Sequence, residues 1–218
     1  MGVIQMITLF NDYGGMLLKA IGVHTIYVLI AAAVGFVFGV FIGILLSRIP
    51  KLSGIIMPIL SIFQTIPGLV FIGVLFIWWG DRYLTVIAAL SVYAMFPILK
   101  NTYTGILEVE GKYIEAAKGC GMSPFQTLIK VELPLAMPAI IAGLRMSAIY
   151  TVSWAVLAAM IGKGGLGNFV YQGVASNNNT LILLGAIPSA LLAIAFGAVI
   201  DYLQRKVMPR GMRKEADK

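Results

Sequence analysis

Residues 21–47 read IGVHTIYVLIAAAVGFVFGVFIGILLS, a run without Asp, Glu, Lys or Arg that ends just before Arg48. The hydrocarbon core of a bilayer is about 30 Å thick, and about 20 helical residues without central charges are enough to cross it. The run meets both conditions. It is therefore predicted to be a membrane-spanning helix, Ile21–Ser47.

Four further stretches are nearly free of charge and are predicted to be spans: Leu52–Gly80, Tyr83–Leu99, Pro138–Ile161 and Thr180–Leu203. Over all 218 residues, 60% are apolar and 11% are charged, against about 45–50% and about 25% in soluble domains. This composition excludes a soluble or disordered chain, and a single cysteine, Cys120, excludes a disulfide scaffold. The sequence predicts an all-α, polytopic membrane protein with five transmembrane helices.

The distribution of basic residues predicts the orientation, because an odd number of spans places the termini on opposite sides and cytoplasmic segments are rich in Lys and Arg. With the N-terminus outside and the C-terminus inside, twelve basic residues face the cytoplasm: Arg48, Lys51, Lys100, Lys112, Lys118, Lys130, Arg205, Lys206, Arg210, Arg213, Lys214 and Lys218. Only Lys19, Arg82 and Lys163 lie outside, and Arg145 falls in the fourth span. The net charge of +7 then reflects a cytoplasmic face near anionic lipid and does not indicate nucleic-acid binding.

The chain is predicted to have three parts. Residues 1–20 form an N-terminal interfacial segment, a helix followed by a turn at Asn11-Asp12-Tyr13-Gly14-Gly15. Residues 21–203 contain the five spans, and residues 204–218 form a basic cytoplasmic tail. The first 18 residues contain no Lys or Arg, so a cleaved signal peptide is not expected.

The longest polar segment, about residues 101–134, is predicted to form a pair of short cytoplasmic helices. The first covers Gly111–Cys120 and ends at Gly121, because glycine adopts the left-handed conformation at a helix end without steric cost. The second begins with Ser123 as N-cap, Pro124 at N1 and Gln126 at N3, a capping-box pattern, and stops near Leu133-Pro134. Two helices joined at a glycine would make a compact knob below the membrane.

The knob carries a recognisable spacing: Glu115-Ala116-Ala117, then Gly121, then Val131 and Leu133-Pro134. This resembles the EAA loop of the membrane subunits of binding-protein-dependent ABC importers, with Val131 where isoleucine is usual. The resemblance implies a methionine-transporter-like five-span permease domain over residues 21–203. In that family the loop inserts into a cleft of an ATP-binding cassette ATPase subunit, which binds ATP and Mg. No catalytic residue and no cofactor is expected in this chain.

The same resemblance implies further partners and a location. These are a substrate-binding protein or domain, a second permease copy (identical or homologous) and the lipid bilayer of a bacterial or archaeal plasma membrane. Three other stretches, residues 64–67 (QTIP), 97–105 (PILKNTYTG) and 161–167 (IGKGGLG), resemble the osmoprotectant importer permeases for glycine betaine, carnitine or choline. A permease of the same fold for another small solute, such as an amino acid, is the alternative.

Two other classes of protein fit the sequence less well. A self-sufficient secondary transporter or channel needs ionisable residues within the membrane, and this chain offers only His24, Arg145 and Asp201. A membrane enzyme based on metal or thiol chemistry needs a cluster of ligands, and the chain has one His and one Cys. His24 is expected to hydrogen-bond a neighbour, and no metal site is predicted.

Several residues are candidates for the translocation path. Gln64, Thr65 and Pro67 mark a bend in the second span, and Met95, Met146 and Met160 are candidates for an adaptable apolar gate, with ordinary packing as the alternative. Arg145 either reaches the interface or takes part in a gate. Tyr150 and Trp154 share one face of the fourth span and are candidates for an aromatic cage around a quaternary ammonium.

The glycines at Gly162, Gly164, Gly165 and Gly167 lack the Lys-Ser/Thr of a phosphate-binding loop and lie on the predicted external side. Two alternatives remain for this segment. It is a tight re-entrant or external loop near the path, or it is a docking surface for a substrate-binding protein.

Overall fold

The computed structural model describes the backbone of residues 3–80 and 83–207, and the side chains of residues 13–80, 83–159 and 161–207. Arg82, the side chain of Met160 and the tail from residue 208 lie outside the described residues. Within the described ranges the chain is helical, without β-strands. The elements are α1 (Val3–Arg48), α2 (Pro50–Phe63), α3 (Gly68–Trp79), α4 (Tyr83–Leu107), α5 (Gly111–Gly119), α6 (Pro124–Thr127), a π-helical turn (Leu128–Glu132), α7 (Leu133–Ala155), a 3-10 helix (Val156–Ile161), α8 (Gly167–Ala175) and α9 (Asn179–Val207).

Three glycines on one face of α1 allow it to pack directly against α4. A Cβ atom on Gly35, Gly39 or Gly43 would lie 2.8, 2.9 or 2.8 Å from the Cβ of Ala94, Ile98 or Thr102, respectively. We call these three glycines the glycine ridge. Small residues four apart commonly allow close packing of helices in membranes. Lipid is as apolar as the side chains, so the hydrophobic effect does not drive the helices together and they associate through close packing. This repeat was not recognised in the sequence.

The glycine ridge also fixes the direction of the helices. Each glycine faces the α4 residue 59 positions later, so α1 and α4 run parallel. The chain must therefore cross back between them, and α2 and α3 make this crossing as a pair of helices bent by 95°. Counted as one span, this pair gives five crossings together with α1, α4, α7 and α9, as predicted. The bend falls between Phe63 and Gly68, where the sequence predicted it.

α4 lies at the centre of the bundle, between α1 and α7. Gly105 of α4 meets Ala139 of α7, and Ser147 of α7 donates a hydrogen bond to the carbonyl of Ala94 at 2.7 Å. These contacts pair early residues of one helix with late residues of the other, so α4 and α7 are antiparallel. α9 packs against α7 and is antiparallel to it.

The predicted turn near residues 11–15 is wrong. α1 is a single helix of 46 residues from Val3 to Arg48. Its N-terminal part extends beyond the start of α4 and packs against α8, where the rings of Tyr13 and Phe169 lie 6.4 Å apart and Ala20 contacts Leu166. An adjacent packing surface and the internally satisfied hydrogen bonds of a helix outweigh the weak helix propensity of two glycines.

The predicted end of the second cytoplasmic helix is also wrong. The helix that starts at Pro124 does not stop at Leu133-Pro134 but continues through the π-helical turn into α7. Leu133 donates its amide to Leu128, five residues earlier, and Pro134 follows at the start of α7. The wider turn shifts the hydrogen-bond pattern just before the residue that has no N–H to donate, so proline does not end the helix.

Gly39→Ala is expected to destabilise the fold because its new methyl group would meet the Ile98 side chain and the Met95 carbonyl. Overpacking of this kind costs about 1–3 kcal/mol. Gly22→Ala in the same helix is the matched control, since a Cβ at Gly22 meets nothing within 4 Å. Thermal unfolding of the two variants in detergent measures the difference. Equal midpoints for both variants would contradict the close packing of α1 and α4.

Candidate functional site

The knob predicted from the sequence is formed by α5 and α6, joined at Gly121. Gly121 has φ +74°, and the amides of Gly121 and Met122 donate to the carbonyls of Lys118 (2.9 Å) and Ala117 (3.1 Å). This pair of bonds closes the end of α5 and turns the chain sharply. A Cβ at Gly121 would meet nothing within 4 Å, so the requirement for glycine is conformational and not steric crowding.

The start of α6 confirms the predicted capping box. The Gln126 amide donates to Ser123 Oγ at 3.3 Å, and the Ser123 amide donates to Gln126 Oε1 at 2.9 Å. These reciprocal bonds satisfy two amides that the helix itself leaves unpaired. The end of α5 and the start of α6 are therefore defined, and the angle between the two helices is set by the backbone.

The residues of the EAA-like spacing differ in exposure. Glu115 and Ala116 are exposed, Ala117 is buried, Gly121 is exposed, and Val131, Leu133 and Pro134 are partly buried. Large apolar side chains of the knob were missed: Phe125 is 72% exposed and Ile129 is 47% exposed. The sequence signal that could have identified them is the presence of large apolar residues within a polar, well-capped segment. The exposed Glu115, Ala116, Phe125 and Ile129 are called the coupling surface below.

A half-buried ion pair at the base of the knob was also missed. Arg48 Nη1 donates to Glu132 Oε1 at 3.3 Å, and Arg48 Nη2 pairs with Glu132 Oε2. The Glu132 side chain is 5% exposed. Position 132 lies between Val131 and Leu133, where the recognised spacing specifies no residue type, and Arg48 had been considered only as a cytoplasmic charge.

A second ion pair in the same loop is exposed to solvent. Glu110 lies 2.5 Å from Lys112 Nζ, and its hydrogen bond raises the pKa of Lys112. Because water screens both groups, this pair contributes little to the fold.

The bend between α2 and α3 is anchored to the centre of the bundle. Tyr93 of α4 donates its hydroxyl to the carbonyl of Ile66 at 2.7 Å, and Pro67 is the N-cap of α3. Gln64 and Thr65 are exposed beside it. The bend is thus fixed from one side and presents polar side chains on the other.

The predicted aromatic pair belongs to a larger cluster. Trp154 packs edge-on against Tyr93 at 4.2 Å, and Tyr93 in turn contacts Phe71 and Phe96. Tyr150 lies 6.4 Å from Trp154 and is 46% exposed. Most of these rings therefore pack against one another, and Tyr150 is the member of the predicted pair that presents an exposed face.

The other candidate path residues are dispersed. Met146 is exposed on α7, whereas Met95 is partly buried on α4. Arg145 Nε donates to Asp201 Oδ1 at 2.8 Å, which joins α7 to α9. Neither of the two roles predicted for Arg145, at the interface or in a gate, includes this partner.

The glycine segment at the opposite end is tightly packed. Gly162, Gly164 and Gly165 have φ values of 73°, 79° and 86°, and a Cβ on Gly167 would collide with the carbonyl of Val156. His24 lies against Gly165 and donates from Nε2 to the carbonyl of Val152 at 3.0 Å, a hydrogen bond of the predicted kind. The described residues contain no group of three or more potential metal ligands. The segment is therefore a tight loop, and both its place near the path and its use as a docking surface stay predictions.

Comparisons with known proteins identify the family. The chain matches the family described as the binding-protein-dependent transport system inner membrane component over residues 35–212. It is 39% identical over 209 residues to the glycine betaine/carnitine/choline transport system permease protein OpuCB of Bacillus subtilis, covering 96% of each chain. It is 40% identical over 201 residues to the choline transport system permease protein OpuBB of the same organism, covering 92% of this chain and 93% of that one.

A solved structure shares the fold. A chain of the MetNI methionine ABC transporter in an inward-facing conformation aligns with a TM-score of 0.80 and 24% identity, covering 91% of this chain and 99% of that chain. This confirms the predicted methionine-transporter-like fold. The protein is therefore a multi-pass ABC transporter permease that belongs to the family of binding-protein-dependent transport system inner membrane components.

Proposed function

We propose that this chain is the permease subunit of an ATP-driven importer that passes a small quaternary-ammonium osmoprotectant into the cytoplasm. The observation that carries the proposal is the capped helix pair of the knob, which presents an exposed surface at one end of a five-span bundle. The substrate class, which comprises betaine, carnitine and choline, rests on the similarity to the two Bacillus subtilis permeases.

The partner at the knob is an ATP-binding cassette ATPase subunit, which binds ATP and Mg. Phe125 is a large apolar side chain that a partner's cleft would desolvate, and Glu115 can make charge-assisted hydrogen bonds there. Catalysis of ATP hydrolysis belongs to that subunit. The glycine segment of this chain lacks the Lys-Ser/Thr of a phosphate-binding loop, and it lies at the far end of the bundle from the knob.

The knob end is the cytoplasmic end. Arg48 contacts Glu132 at this end. Lys51 near the start of α2 and Arg205 and Lys206 near the end of α9 lie at the same end, given the directions of these two helices. The opposite end carries Lys19 and Lys163. The asymmetry supports an external N-terminus and a cytoplasmic C-terminus.

The path runs between this chain and a second permease copy. In α2, Ser53 is the one buried residue, so a helix of the membrane domain is left almost uncovered by its own chain. Gln64 and Thr65 at the bend, with Met146 and Tyr150 on α7, are exposed candidates to line the space between the copies. Because most of the aromatic cluster is packed internally, selectivity is assigned chiefly to a separate substrate-binding protein that docks at the outer end.

Transport follows from two arrangements of this dimer. When ATP closes the ATPase dimer, its clefts draw the two knobs together and the bundle opens outward to receive the substrate. Hydrolysis reverses the change. Each nucleotide state must favour one arrangement, because a ligand shifts an equilibrium only by its difference in affinity for the two states. Arg145 and Asp201 pair with each other, which disfavours their use as ion-coupling groups of a secondary transporter.

Gly121→Ala is expected to weaken binding of the ATPase subunit. A side chain in the left-handed conformation costs about 1–2 kcal/mol, which corresponds to roughly five- to thirtyfold in affinity if relieving the strain reorients α5 and α6. Gly119→Ala, two residues away, is the control, because Gly119 is helical and a Cβ there meets nothing within 4 Å. Titration of the purified ATPase subunit onto each variant in nanodiscs measures the affinity. Equal affinities would contradict the requirement for the turn.

Phe125→Ala is expected to weaken the same binding by tenfold or more, since truncation of a central aromatic anchor commonly costs about 2 kcal/mol or more. Phe38→Ala is the control, because Phe38 is 54% exposed on the membrane-spanning part of α1, away from the knob. The same titration applies. Wild-type affinity in Phe125→Ala, or an equal loss in Phe38→Ala, would remove Phe125 from the coupling surface.

A further inference from the structure

The ion pair between Arg48 and Glu132 has no role in the transport cycle described above. Arg48 is the last residue of α1, and Glu132 is the last residue of the π-helical turn, 84 positions later. Both terminal nitrogens of the guanidinium face both oxygens of the carboxylate. A fork of this kind fixes the relative orientation of the two groups as well as their separation.

The pair is held together by burial on one side. The Glu132 side chain is 5% exposed, whereas that of Arg48 is 42% exposed. A buried carboxylate that loses its partner is strongly destabilised, so Glu132 keeps its bond to Arg48 when the surrounding helices move. The two segments that carry these residues must then shift together.

Arg48 stands at the junction of two spans. It ends α1, which the glycine ridge locks to α4, and it precedes by two residues Pro50, the first residue of α2. α2 itself is weakly held, since Ser53 is its one buried residue. Ser53 accepts a hydrogen bond from the Tyr103 hydroxyl of α4 at 3.1 Å. The base of the knob is thus tied to the start of the bent span, with which it has no direct covalent connection.

The π-helical turn adds a second observation at this point. Turns of this kind are rare and, where they occur within α-helices, frequently lie at functional sites. Glu132 lies between the knob and α7. A change in the angle of the knob would therefore displace the Glu132 carboxylate before it displaces α7.

We propose that the Arg48–Glu132 pair transmits movement of the knob to the α1–α2 junction, and so couples ATPase closure to the bent span that carries Gln64 and Thr65. The proposal rests on the proposed function. Both are positioning residues, because neither one touches the substrate. Their role differs from that of the coupling surface, which binds the ATPase.

The test measures substrate imported per ATP hydrolysed by the complete transporter in proteoliposomes, with glycine betaine as the substrate. In Glu132→Gln and Arg48→Glu we expect the ATPase subunit to remain bound while this ratio falls about tenfold, within the 5–150-fold range of allosteric coupling. The exchange Arg48→Glu/Glu132→Arg is expected to recover most of the ratio. Arg48→Lys, which keeps the charge but not the fork, should lie between the wild type and Arg48→Glu.

The matched control is Glu110→Gln, which removes an exposed carboxylate paired with Lys112 in the same loop and should keep the wild-type ratio. A wild-type ratio in Glu132→Gln overturns the proposal, as does an exchange variant that assembles but recovers nothing. If the exchange variant does not assemble, the ratio of Arg48→Lys decides, and a value no higher than that of Arg48→Glu overturns the proposal. A wild-type complex that imports no betaine overturns the proposed function instead.

Discussion

The contact between the glycine ridge and α4 sets the positions of the remaining helices. Helices in lipid associate through close packing, and Gly35, Gly39 and Gly43 bring two backbones together where any side chain would collide. Because the two helices are parallel, the chain between them has to recross the membrane. That return crossing is the bent span α2–α3, and its bend is stabilised by Tyr93 from the same central helix.

The coupling end is built outward from this rigid pair. α4 leads into the knob and α7 leads out of it, so the knob hangs between two spans that pack against each other. Gly121 and the capping box fix its internal angle, and Arg48 ties its base to the end of α1. The coupling surface is therefore supported by packed helices and not by a flexible loop, as the proposed contact with an ATPase subunit requires.

The features that could be predicted from the sequence depend on local chemistry. Spans follow from the absence of charge, and the end of α5 and the start of α6 follow from Gly121 and Ser123, whose effects act within a few residues. The features that were missed depend on distant partners. Glu132 pairs with Arg48, and Arg145 pairs with Asp201, each on another helix. The glycine ridge allows close packing only against α4, which lies far away in the sequence. Pro134 was expected to end a helix. The π-helical turn that lets the helix continue past it arises from the tertiary fold and cannot be predicted from nearby residues.

The central claim is that this chain moves a quaternary-ammonium solute only when an ATPase drives it. The most direct measurement is uptake of radiolabelled glycine betaine into proteoliposomes that contain the chain, its ATPase subunit with ATP inside, and the substrate-binding protein outside. The account predicts concentrative uptake that disappears when any one of these components is omitted. Uptake by the chain alone, driven by an ion gradient or by diffusion, would contradict it.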